Sequence, residues 1–168
     1  SKADSNLAAH ATCWILQQKT SRKCAEFFFL LKLRRNKKYT IDMLNTDNDR
    51  LAKTLLFEKL ESKYGYAKVR AAAKPEFLNG VNIAHGGFLF ALADYTAALA
   101  TNTESRAAIS SSASINFLSP TPENAEIIAT ASIAAEDAKS AVCDVRLSTE
   151  GKTVAVFQSR VIFKSLGK

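Results

Sequence analysis

The chain is short of the residues on which many familiar chemistries depend, and each shortage removes a class of function. Histidine occurs only as His10 and His85, which leaves no His-rich metal site. Cys13, Cys24 and Cys143 are odd in number and show no CxxC spacing, so free thiols in a reducing, cytoplasmic compartment are expected rather than a disulfide framework. The absence of a GxSxG elbow, a Walker loop and a GxGxxG fingerprint excludes the usual serine hydrolase, nucleotide-hydrolysing and dinucleotide-binding designs. No apolar run reaches 18 residues, and the opening SKADSN lacks a basic region followed by an apolar core; neither a membrane span nor a standard secretory signal is expected. No internal repeat is visible, and the only compositional bias is one serine run. Three prolines in 168 residues, 47% of them hydrophobic, leave enough uninterrupted chain for one domain with a sizeable core.

What charge there is sits at one end. Residues 1–42 hold nine Lys or Arg against three acids, so they account for six of the seven net positive charges, and nucleic-acid binding by the remainder is not expected. The same residues contain Trp14 and two of the cysteines but neither Gly nor Pro. Met43 is the only methionine, and the text after it reads as an ordinary start. A boundary is therefore expected between an extension, 1–42, upstream of a true start at Met43, and a domain over 43–168. The alternatives are a genuine helical arm, or a segment whose apolar cluster followed by basic residues, AEFFFLLKLRRNKK, touches an anionic membrane surface or a partner groove.

Within 43–168, Asp and Asn caps lead into an expected amphipathic helix carrying Leu51, Leu55, Leu56 and Leu60. Residues 66–73 are read as a strand. KPEFLNG is a loop. Residues 86–101, rich in Ala and Leu, predict a helix that is apolar on all sides and hence buried. Four runs of period two follow and predict consecutive strands in an antiparallel meander. In the first of these, Ile109, Ala113, Ile115 and Phe117 are placed on one face, and Ser110, Ser112, Ser114, Asn116 and Leu118 on the other. An all-apolar helix needs a wrapper and a sheet's apolar face needs a cover, so the expected fold is α+β, one sheet around one helix.

Asp94 interrupts that helix. Burying a charged carboxylate costs several kcal/mol unless it is paired, so its place implies either a structural partner or a general base or nucleophile beside a cleft. HGG at 85–87 opens the helix, where unpaired N–H groups and two glycines let a ligand oxygen approach. His85 either shapes that turn or meets the substrate. His85 and Asp94 lie about 13 Å apart along the helix axis, too far for one carbonyl to reach both, and a two-fold dimer is the simplest repair.

NGVNIAHGGFLFALAD, residues 79–94, closely resembles the signature of the hotdog-fold acyl-CoA thioesterases, particularly the phenylacetate-pathway thioesterase-like branch. INFLSP at 115–120 resembles that branch's strand and proline turn. The resemblance covers roughly residues 66–164. It implies a hotdog fold and hydrolysis of acyl-CoA, with Asp94 activating water or attacking the thioester. It further implies that Gly86 offers an N–H to the carbonyl, that Asn79 holds the water or carbonyl, that His85 shapes the site, and that a strand hydroxyl, Ser110 or its rival Ser112, stands near Asp94. Homodimers paired into tetramers are implied, with no cofactor or metal, coenzyme A arriving as part of the substrate. Arg160, Lys164 and Arg106 are candidates for its phosphates. A non-catalytic acyl-CoA-binding module and a hotdog enoyl- or hydroxyacyl-CoA dehydratase share the architecture.

Overall fold

The structure, a computed structural model, describes residues 48–165; the expectations for residues 1–42 and for a start at Met43 lie outside them. The elements run α1 (Arg50–Thr54), β1 (Glu58–Lys63), β2 (Tyr66–Ala72), a 3-10 turn (Pro75–Phe77), α2 (Gly86–Thr101), β3 (Arg106–Phe117), β4 (Glu126–Glu136), β5 (Ser140–Thr149) and β6 (Lys152–Ser165). Six antiparallel strands form one sheet in the order β1-β2-β4-β5-β6-β3, and α2 lies across it. The α+β expectation and the bounds of the long helix hold.

The helix is seated by side-chain size. Phe88, Leu89, Leu92, Ala93 and Ala97 enter a floor built largely of Ala67, Val69, Ala71, Ile127, Ala129 and Ala131, with Val145 and Phe157 beside them. A floor of alanines lets the helix axis come close while Leu92 and Phe88 fill the remaining volume, which is the close packing that stabilises such a core. Thr96 and Thr101, also buried, donate their hydroxyls to the carbonyls of Leu92 (2.6 Å) and Ala97 (2.8 Å), so neither leaves a polar atom unpaired.

Three expectations need correction. The helix expected through Leu60 stops at Thr54. Its N-cap Asp49 accepts from Ala52 N–H (2.8 Å), but one turn and a half is too short to persist alone, and Leu60 instead belongs to β1. A turn at Tyr64 and Gly65 returns the chain into β2, with Gly65 at φ 85°, and sheet pairing outweighs the helical spacing of the leucines. The meander is also incomplete: β4, β5 and β6 follow one another, but β3 pairs with β6 and forms the sheet's far edge. Sequence periodicity specifies that a strand exists and not which neighbour it takes.

The third correction concerns the faces of β3. Ser110 stands opposite Val161 and Ser112 opposite Arg160, so Ser111 is an extra residue, a β-bulge. Val161 is buried and Arg160 exposed. Before the bulge the helix-facing residues are even-numbered and after it they are odd, so Ser110 shares the inner face with Ala113 and Ile115, whereas Ser112 is outside. Ile109, placed inside by simple alternation, is 45% exposed.

Candidate active site

The glycine-rich entry to α2 is set by its capping. His85 is the N-cap, with extended φ −63° and ψ 136°, and its Nδ1 accepts from Gly87 N–H at 2.8 Å. That bond assigns the ring proton to Nε2. His85 N–H donates to the Phe77 carbonyl (2.8 Å), while the His85 carbonyl accepts from both Phe88 and Leu89 N–H (3.0 and 3.2 Å). Among the described residues, only Gly86 N–H at this helix entry has no acceptor. A Cβ on Gly86 would come 3.0 Å from Cζ of Phe117, so the ring of β3's last residue lies directly over the glycine.

Asn79 is first a loop-builder. Its Oδ1 accepts from Val81 and Ile83 N–H (3.0 and 3.3 Å), and its own N–H donates to the Ile83 carbonyl (2.8 Å), leaving the side-chain amide hydrogens for other partners. Asn79, Gly86, Leu89 and Phe117 line one cleft of about 390 Å³, closed by Ser119, Pro120 and Thr121. A larger hollow of about 680 Å³ lies over the sheet's outer face, among Ser114, Asp144, Arg146 and Gln158, and holds none of the candidate residues.

Asp94 is absent from the Gly86 cleft and lies eight residues further on, about 12 Å along the axis. Ser110 Oγ donates to Asp94 Oδ1 at 3.1 Å, and Ser112 cannot do so because the bulge turns it outward. The carboxylate is only half-buried, contrary to the reading of α2 as covered on all sides. Gly87, Phe90, Ala91, Asp94 and Ala98 recur at helical spacing as a stripe that the chain leaves partly open, Phe90 being 36% exposed even though its ring meets Phe157 edge-on. The open stripe runs beside β3, whose second edge has no strand against it among the described residues.

Comparison with known proteins fits this arrangement to a family. The family model described as the thioesterase superfamily matches residues 81–156, spanning α2 and most of the sheet. Over 115 residues the chain is 34% identical to the acyl-coenzyme A thioesterase PaaI of Escherichia coli, covering 68% of this chain and 82% of that protein. This chain belongs to the thioesterase superfamily. The solved structure of the E. coli PaaI protein, from the phenylacetic acid degradation operon, superposes with a TM-score of 0.67 at 33% identity, over 69% of this chain and 85% of that one. The fold is therefore the hotdog fold. An Archaeoglobus fulgidus protein is 40% identical over 84 residues, a match that spans half of this chain and 54% of the other.

The cationic candidates of this thioesterase-superfamily chain do not converge. Arg106 donates to Tyr64 Oη (2.6 Å) and stacks 3.6 Å from the centre of the Phe163 ring, while Tyr64 also donates to Glu136. Partial burial and the Glu136 bond raise the Tyr64 pKa, with Arg106 opposing. Arg160 is on the outer face, 3.5 Å from Ser140 Oγ, and Lys164 is exposed near the end of β6. Three features escaped sequence reasoning: the bulge, the Phe117 ring seated on Gly86, and Thr121. A run of small residues, SSSAS, carries no signal for where an extra residue falls.

Proposed function

We propose that this chain hydrolyses acyl-CoA thioesters at sites shared between two copies. One observation carries the reading: an N–H without an acceptor at Gly86 and a half-open, serine-bound carboxylate at Asp94 occupy the same helix but sit about 12 Å apart. A two-fold pairing along the free edge of β3 brings the Gly86 of one copy toward the Asp94 of the other and covers the stripe around Phe90 and Ala98. Membership of the superfamily, and a relative named for acyl-coenzyme A hydrolysis, support the substrate class.

In this mechanism the thioester carbonyl oxygen accepts from Gly86 N–H, at the positive end of α2. Asp94, held in orientation by Ser110, takes a proton from water as the water oxygen bonds to the carbonyl carbon. The C–S bond then breaks, and the proton on Asp94 passes to the departing thiolate, giving free acid and coenzyme A. Asn79 contributes its free amide hydrogens to the water or carbonyl, and His85 keeps the helix entry in shape. Arg160 and Lys164, exposed on β6, are the candidates for the phosphates of coenzyme A, Arg106 being engaged with Tyr64 and the Phe163 ring. The assembly is a dimer, paired again into a tetramer, acting in the cytoplasm. Among the described residues no helix is long and apolar enough to cross a membrane.

Thiol release over a panel of acyl-CoAs tests the reading. Wild-type protein should turn over, and Asp94→Asn, isosteric but no longer a base, should lose about 10² or more in kcat. A correctly folded Asp94→Asn with near-normal rate sinks the role of Asp94. Tight binding without thiol release identifies a binding module, and hydration of an enoyl-CoA identifies a dehydratase.

A further inference from the structure

An oxyanion is best held by two donors, and the entry to α2 supplies one. Gly87 N–H is consumed by His85 Nδ1, and Phe88 and Leu89 N–H by the His85 carbonyl, so among the described residues Gly86 N–H is left without an acceptor. The same cleft contains Thr121, which is 1% exposed and whose Oγ1 has no hydrogen-bond partner among the described residues. Among the described residues, Ser159 is the other buried hydroxyl in this condition, and it is not part of that cleft. An unpaired buried hydroxyl costs stability, and this one belongs to the cleft that also holds the unpaired Gly86 N–H, which points to a ligand atom as their partner.

Backbone bonds fix Thr121 against the helix entry. Ala84 N–H donates to the Thr121 carbonyl at 2.8 Å, Ile83 pairs with Pro122, and Gly86 follows two residues after Ala84. Four residues upstream, the Phe117 ring rests on Gly86 and roofs the cleft. The rest of the lining is largely apolar, Ile83, Ala84, Leu89, Leu118 and Pro120 with Asn79 and Ser119 as its other polar side chains, so a hydrogen bond from a buried hydroxyl there to developing charge is stronger than in water.

We infer that Thr121 Oγ1 is the second hydrogen-bond donor to the thioester carbonyl oxygen, acting with Gly86 N–H. The inference rests on the thioesterase reading and adds a catalytic residue to it. The donor is engaged fully only when the carbonyl oxygen becomes an oxyanion, so its loss falls on kcat.

The test compares Thr121→Val, which keeps the shape and removes the hydroxyl, with Thr121→Ser, which keeps the hydroxyl. Thr121→Val should show a Tm equal to or above wild type, because an unpaired polar atom is gone, together with a kcat reduced about tenfold or more and little change in KM. Thr121→Ser should recover most of the rate. Wild-type thiol release combined with an unaltered kcat in a folded Thr121→Val overturns the inference while leaving the thioesterase reading intact. A lowered Tm with unchanged kcat overturns it too, by showing that the hydroxyl serves the fold through a bound water. Absence of thiol release from the wild-type protein with every acyl-CoA overturns both.

Discussion

Replacing Gly86 with proline removes one hydrogen-bond donor and little else. Gly86 is the first residue of α2, where a proline's missing N–H breaks no helical bond and its fixed φ suits the helix. The residue before it, His85, already has the extended φ −63° and ψ 136° that a following proline demands. The new Cβ would stand 3.0 Å from Phe117 Cζ, but that ring is 53% exposed and can retreat a few tenths of an ångström. Proline at a compatible position gains about 0.4–1 kcal/mol through the unfolded chain, which offsets the ring's displacement, so stability should change by less than about 1 kcal/mol. Loss of an oxyanion donor costs about 2.7–4 kcal/mol, a fall of about 10²–10³ in kcat. Thermal unfolding checks the first number and thiol release the second. Gly86→Ala is the control, since it adds the same Cβ and keeps the N–H. If Gly86→Pro turns over at the wild-type rate, or Gly86→Ala falls equally far, the N–H is not what holds the carbonyl.

Further outcomes follow from the bulge and from the buried thiol. Ser110→Ala removes the hydroxyl bound to Asp94 and should lower kcat roughly tenfold, whereas Ser112→Ala, on the outer face, should stay within about twofold of wild type; steady-state kinetics on both variants checks the assignment. Burial, with the Asp144 charge assisting, pushes the Cys143 thiol up to about 12. The unfolded thiol ionises near its ordinary value of about 8.5, so between these two values the folded state keeps a proton that the unfolded state has lost. Stability should therefore decline as pH rises through that window, and urea unfolding of Cys143→Ala should show a flatter alkaline limb than wild type. Identical limbs would refute the shift.

Much of the site was legible because it is local. The run from Asn79 to Asp94 carries its own cap, glycines and carboxylate on consecutive turns, and α2 begins and ends where composition alone placed it. The choice between Ser110 and Ser112 was not legible, because alternation counts residues and a bulge at Ser111 changes the count without changing composition. Leu60 misled for a related reason: leucines at helical spacing describe a helix that is possible, and pairing with β2 offers that segment more hydrogen bonds than an isolated turn.

Asp94 shows most plainly where the division falls. Hydrophobicity around a residue determines that it belongs to a core-facing helix, and that much is written in the chain. Whether every side of the helix is covered depends on which strand ends the sheet, and β3 takes that place only because it pairs with β6. The sequence by itself determined the long helix, five of the six strands and the motif, since these follow from local spacing and propensity. Tertiary structure decided the strand order, the inward turn of Ser110, the Phe117 ring over Gly86 and the unpaired hydroxyl of Thr121, since each depends on contacts between residues distant in the chain, which periodicity does not encode.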